Sequence, residues 1–218
     1  MTTAYPYLVQ STSGGGTASA AITPSLSNCS AGNLLAFFLG ATGVIAAPAA
    51  PAGWTLTSAG TGSAQSKRYA ALYVATAATG TNTFSVTTGG PYNYVMAEFA
   101  NASYAGAGFD ASAFNSSASA NPSIAQSGVA FDCLGLAIIQ STSGNTTLPY
   151  VPNWTSLASL TNAGEFNAAY SVVASQTGAI AWTQATSTTY SFGMVMVFAN
   201  ILPTLNIVSQ ALNRASTY

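Results

Sequence analysis

Histidine is absent from the chain, and the groups that could take or give a proton near neutrality reduce to four carboxylates, Glu98, Asp110, Asp132 and Glu165. Without an imidazole there is no Ser-His-Asp triad and no Cys-His pair. Carboxylates alone can cleave a glycosidic bond, which requires two of them facing across a cleft. Each of the four also suits a strand end or loop as a solubilising charge, and on that reading the chain is not an enzyme and has no catalytic residue. Cys29 and Cys133 are too few and too widely spaced for a zinc site, so no metal or cofactor is expected. Both cysteines fall near the start of an apolar run, where they are either bonded to each other or two buried thiols. Ser13-Gly14-Gly15-Gly16 is not followed by a lysine or a helical pattern, which makes it a flexible linker and not a phosphate cradle.

Aromatic side chains are the other candidates, because the apolar faces of sugar rings stack on Trp and Tyr. Tyr92, Tyr94 and Tyr104 flank strand or loop ends and are the candidate ligand-binding residues. Trp54, Trp154 and Trp182 begin or sit within strand-like runs, where a large aromatic serves packing.

These residues belong to a chain of 218, long enough for one large all-β domain or two small ones. Only 3% of the residues are charged, and Lys67, Arg68 and Arg214 are the only cations. Three cations cannot release enough counterions to hold nucleic acid, so that class of partner is excluded. At 49% hydrophobic content the chain has the burial that disordered segments lack. Part of such a charge-poor surface is expected to be covered by neighbouring subunits, since interface cores are depleted of charge. Residues 1–7 have no basic region followed by an apolar one and do not read as a secretory signal. Residues 34–50 are uncharged and near the length of a membrane span, but Gly40, Gly43 and Pro48 interrupt them, and a buried strand and loop is expected with no span.

Short apolar or alternating runs, punctuated by Gly, Pro, Asn and Thr, predict an all-β antiparallel sandwich. Strands are expected at 33–40, 54–58, 68–76, 82–87 and 92–102. A second set follows at 132–140, 154–160, 167–175, 180–186 and 190–201, with one or two edge strands between 103 and 128. Pro51-Ala-Gly-Trp54-Thr-Leu56 is answered by Pro152-Asn-Trp154-Thr-Ser-Leu157, and Phe99-Ala-Asn101 by Phe198-Ala-Asn200, which predicts an internal pseudo-repeat of about 100 residues. The organisation expected is a flexible arm over 1–20, a sandwich of two five-strand units over 21–202 and a tail over 203–218. Leu205, Val208 and Leu212 give that tail helical spacing. Lys67 and Arg68 are expected to mark the solvent end of their strand, and Phe84 and Val86 to point inward from theirs.

The ordered series Gly-Asn-Leu-Leu-Ala-Phe-Phe (32–38), Pro-Ala-Gly-Trp-Thr (51–55), Tyr-Ala-Ala-Leu-Tyr-Val-Ala (69–75), Thr-Phe-Ser-Val (83–86) and Met-Ala-Glu-Phe (96–99) resembles the Gly-Trp-Thr-type β-sandwich modules of tailed-phage virions and prophage-derived bacterial proteins. The likeness covers residues 25–105, with the second half a worn copy. Ala70-Ala71 stands where such modules carry Lys or Arg, and Ala100 where they carry Gly. The resemblance implies a jelly-roll-like sandwich on the virion surface, a decoration, fibre or host-attachment protein. Its implied partners are capsid or tail proteins, further copies of itself and cell-surface glycans, and it brings no catalytic residue. The alternative is an extracellular carbohydrate-binding module.

Overall fold

Leu34-Leu-Ala-Phe-Phe-Leu-Gly-Ala41 has no polar side chain to offer water on either face, so a strand made from it must be covered on both sides. The computed structural model, which describes residues 5–61, 67–102, 109–119, 123–127, 133–141, 148–149, 154–173, 177–183 and 188–198, meets that requirement. This run is β4 (Leu34–Thr42), the centre of a five-stranded antiparallel sheet in the order β1-β9-β4-β6-β5. Its companions are β1 (Tyr7–Gly16), β5 (Thr55–Thr61), β6 (Arg68–Thr76) and β9 (Tyr92–Ala100). The uncharged stretch at 34–50 is thus a strand and loop, and no helix among the described residues is long and apolar enough to cross a membrane.

A second five-stranded sheet comprises β10 (Phe109–Ser119), β12 (Cys133–Ser141), β14 (Thr155–Leu160), β15 (Phe166–Val173) and β17 (Thr188–Phe198), in the order β10-β17-β12-β15-β14. Taken in chain order, the strands of the two sheets occupy the same places. Irregularities in pairing correspond as well. One interrupts the β1/β9 ladder between Leu8 and Gln10 and its counterpart the β10/β17 ladder between Phe109 and Ala111. Another interrupts β5/β6 between Leu56 and Ser58 and its counterpart β14/β15 between Ser156 and Ala158.

The two sheets lie face to face. Leu34, Ala36 and Phe38 of β4, Leu72 and Val74 of β6 and Val95 and Phe99 of β9 pack with Leu134, Leu136 and Ile138 of β12 and Phe166 of β15. β4 lies against β12, β1 and β9 against β14, and β5 against β10 and β17.

Each sheet carries an outer layer. Over the first lie β2 (Ala21–Ile22) paired with β8 (Val86–Thr87), and β3 (Ser25–Cys29) paired with β7 (Gly80–Thr83). Ile22, Leu26, Cys29 and Phe84 from this layer pack on Leu35, Phe37, Leu39, Tyr69, Tyr73 and Met96. β11 (Ser123–Ser127), β13 (Leu148–Pro149) and β16 (Thr177–Thr183) form a separate three-stranded sheet.

Three expectations need correction. Residues 7–16 are not part of a flexible arm: β1 pairs with β9 along its whole length. The run 82–87 is not one strand, because Phe84 and Ser85 leave the ladder between β7 and β8, where the Phe84 N–H donates to the Pro24 carbonyl. Phe84 is buried as expected, and Val86 only half-buried. Lys67 is exposed, but Arg68 is fully buried, since β6 is covered on both faces and its first residue with it. Burial lowers the Arg68 pKa below its ordinary value. The tail over 203–218 and its helical spacing lie outside the described residues.

Candidate functional site

Tyr92 and Tyr94 stand two apart on β9 and so point to the same face, the face that carries the outer layer. Their rings stack with centroids 6.3 Å apart and planes inclined by 14°. Tyr94 stacks in turn on Phe37, at 5.7 Å and 19°, and Phe37 on Phe84, at 3.8 Å and 13°. The series runs from half-buried Tyr92 to fully buried Phe84. Tyr94 thus stands between Tyr92 and Phe37 in the series, and burial, followed by the neighbouring Tyr92, pushes its phenol pKa up. Tyr92 is the outermost ring of the series. Tyr104 lies outside the described residues.

The rings reach outward across β1, where Gly14 pairs with Tyr94 and Gly16 with Tyr92. A Cβ on Gly14 would stand 2.7 Å from the Tyr94 hydroxyl oxygen, and one on Gly16 2.8 Å from the Tyr92 ring. The glycine tract is a floor for two tyrosine rings. Its lack of side chains, which alone reads as linker, is what close approach requires.

Farther along the same two strands, Glu98 is buried beneath β1. Gln10 Nε2 donates to its Oε2 at 2.6 Å, while the Ser30 N–H and Asn33 Nδ2 donate to Oε1 at 2.9 and 2.7 Å. Desolvation raises the Glu98 pKa, but the hydrogen bonds from Gln10, Ser30, Asn33 and Cys29 outweigh it and hold the carboxyl below its ordinary 4.5. Cys29 is a free, buried thiol whose pKa burial pushes up, so it is a protonated packing group and not a nucleophile. The Cys133 side chain lies outside the described residues.

A second polar cluster closes the opposite end of the space between the sheets. Asn93 Nδ2 donates to Gln140 Oε1 at 3.5 Å and to the Gly164 carbonyl at 3.3 Å, and the Asn162 N–H donates to Asn93 Oδ1 at 3.2 Å. Gln140 Nε2 donates to the carbonyls of Ser141 and Ala163, both at 2.7 Å. Gly40 of β4 and Gln140 of β12 meet between the sheets: a Cβ on Gly40 would fall on Gln140 Oε1 and stand 2.8 Å from the Phe166 ring. One position must be empty for the other to be filled. Gly40→Ala is accordingly expected to destabilise the fold by about 1–3 kcal/mol through overpacking. Adding Gln140→Ala should recover at least about 1 kcal/mol of the summed single costs, read in a double-mutant cycle of denaturant unfolding. Additive costs would show that the two positions do not meet.

Glu165 is buried at this second cluster, its N–H donating to Ser141 Oγ at 3.3 Å and its carbonyl accepting from the Ser141 N–H at 2.8 Å. Asn93, which bonds Gly164, is five residues from Glu98 on β9, which places Glu98 and Glu165 roughly 17 Å apart along the sheet. Paired glycosidase carboxylates stand roughly 5–9.5 Å apart. These two do not act on one bond. Asp110 lies at the irregularity in β10, and Asp132 falls outside the described residues.

Trp54 and Trp182 serve packing. Trp54 follows a turn in which its N–H donates to the Pro51 carbonyl and Gly53 takes a φ of +83°. Its ring is half-buried, edge-on to Phe84 at 5.0 Å, and its Nε1 donates to the Thr83 carbonyl at 3.2 Å. Trp182 is fully buried, with Nε1 donating to Asn167 Oδ1 at 3.0 Å. Asn167 and the Glu98 partners escaped the sequence reading because a chain rich in Asn, Gln, Ser and Thr does not mark which amides go inside. No protein-family model, curated protein or solved structure matches the chain.

Proposed function

We propose that the chain is a non-enzymatic structural protein of the outer surface of a tailed-phage particle, a decoration, fibre or attachment component that works as a homo-oligomer against capsid or tail proteins. The observation that carries this reading is the use the fold makes of its few charged groups. Glu98, Glu165 and Arg68 are buried, and the charge-poor remainder suits a surface that meets other protein. The matching strand orders and pairing irregularities support a duplicated sandwich module as its basis, in keeping with the Gly-Trp-Thr resemblance. Antibodies raised against the purified chain should decorate the exterior of phage particles released by cells that encode it, in immunoelectron microscopy. Particles that carry no label, and whose protein content lacks the chain, would overturn the proposal.

Adhesion to cell-surface glycans is a second reading, favoured by half-buried Tyr92 at the open end of the ring series. It applies equally to a virion protein and to an extracellular carbohydrate-binding module. Saturable binding on a glycan array that Tyr92→Ala abolishes would support it, and unchanged binding in that variant would remove Tyr92 from the site.

A further inference from the structure

We infer that the free edge of β1 is the surface through which two copies of this chain associate, strand against antiparallel strand. The inference rests on the homo-oligomer part of the reading above and assigns it a surface. β1 is ten residues long and lies at the edge of its sheet, with only β9 paired to it among the described residues. Natural edge strands are guarded by charge, by proline or by a bulge. Tyr7–Gly16 contains no charged residue and no proline, and past the irregularity at Val9 the run Gln10–Gly16 pairs regularly with β9. Exposed large hydrophobic residues gather here. Tyr5, Tyr7 and Val9 are 49%, 56% and 45% exposed, and Ile45 is the one other such residue among those described.

The second sheet supplies an internal comparison. β10 holds the place of β1, and its pairing irregularity falls at Asp110 where that of β1 falls at Val9. One edge has a carboxylate at the position where the other has an exposed apolar side chain. A bulge is common to both, so the charge is what distinguishes a guarded edge from an open one.

The occupant that fits is a second copy. An uncharged edge has no electrostatic means of selecting a charged partner, whereas another β1 brings an equally uncharged strand of the same length, and sets the exposed Tyr7 and Val9 of each copy over Gly16 and Gly14 of the other, which have no side chain to obstruct them. Antiparallel pairing of identical strands is two-fold symmetric and self-complementary. Ten paired residues offer roughly ten main-chain hydrogen bonds, as many as a typical protein interface contains.

Sedimentation of the purified full chain tests this. The wild type should behave as a two-fold associated species. Val9→Asp, which puts a carboxylate where β10 has Asp110, and Ser13→Lys, at an exposed position of the regular run, should each weaken association about 100-fold or more, because pairing would cover a charge for which an uncharged strand has no partner. Ala52→Lys, exposed in the turn before β5 at the opposite edge of the sheet, should leave it unchanged. Circular dichroism identifies a variant that fails to fold, in which case the other carries the test. A wild type that stays monomeric at every concentration reached overturns both self-association and its surface. Association that persists in the folded β1 variants, or is lost in Ala52→Lys, overturns the β1 assignment alone.

Discussion

Phe37→Ala is expected to destabilise the protein by about 3–5 kcal/mol, the cost of truncating a fully buried phenylalanine whose site cannot collapse. Collapse is blocked here by the ring's position. Phe37 meets Trp54, Tyr73, Phe84 and Tyr94 at centroid distances of 6.3, 6.4, 3.8 and 5.7 Å, and these come from the turn before β5, from β6, from the outer layer and from β9. The backbone of β4 is held on both sides by the ladders to β6 and β9, so it cannot move in to fill the void. Trp54→Ala should cost less, about 2 kcal/mol, because that ring is half-buried and the truncation opens to solvent. Denaturant unfolding of the two variants ranks them. If Trp54→Ala proved the costlier, the turn at Pro51–Trp54 and not the ring series would be the anchor of this face. Loss of Phe37 should also remove the support on one face of Tyr94, so near-ultraviolet dichroism from the tyrosines should fall even where the variant remains folded.

The contrast between Trp54 and Phe37 shows what the sequence discloses. Trp54 attracts notice because a rare residue recurs 100 positions later behind a proline, and each of the two tryptophans directly precedes a strand, β5 and β14. Phe37 is one apolar residue in an apolar run, and its centrality depends on which residues neighbouring strands place beside it. β6 could be read to its ends, since Arg68–Thr76 is bounded by polar and small residues and rich in strand formers. β1 could not. Its glycines are informative only once Tyr92 and Tyr94 are known to cross them, and that is a fact of register between strands nearly 80 residues apart. Arg68 was misjudged for a related reason: a charge at the start of a strand usually marks water, but a strand covered on both faces takes its first residue inside. The candidate ligand residues show the same division. The stacking of Tyr92 with Tyr94 follows from their alternation on one strand, whereas the stacking of Tyr94 on Phe37 depends on another.

Glu98→Gln should destabilise the protein by about 2–4 kcal/mol at neutral pH, although it removes no heavy atom beyond an oxygen-to-nitrogen change. The carboxylate accepts from Gln10 Nε2, the Ser30 N–H and Asn33 Nδ2, all donors. An amide in its place turns one acceptor into a further donor, and whichever oxygen position it takes faces at least one N–H. A buried donor left without an acceptor costs about 1–3 kcal/mol, and the bonds lost are charge-assisted. The expected pH dependence follows from the lowered pKa. In the unfolded chain the carboxyl titrates near its ordinary 4.5, and in the folded protein below it. The unfolded state thus binds the proton first, and the contribution of Glu98 to stability is complete above about pH 4.5, then shrinks as the pH falls through the folded-state pKa. The wild type should therefore lose stability on acidification below pH 4.5 more steeply than Glu98→Gln, and the two unfolding curves should converge in acid. Convergence is the result that distinguishes this network from simple packing, since a cavity or a clash would separate the two proteins equally at every pH. The structural consequence should appear first in β1, because Gln10, bonded to Glu98 and to the Ser27 carbonyl at 2.9 Å, ties that strand to β9 and β3. Amide exchange of Gln10–Gly16 should accelerate in Glu98→Gln while the exchange of β4 and β6 is less affected.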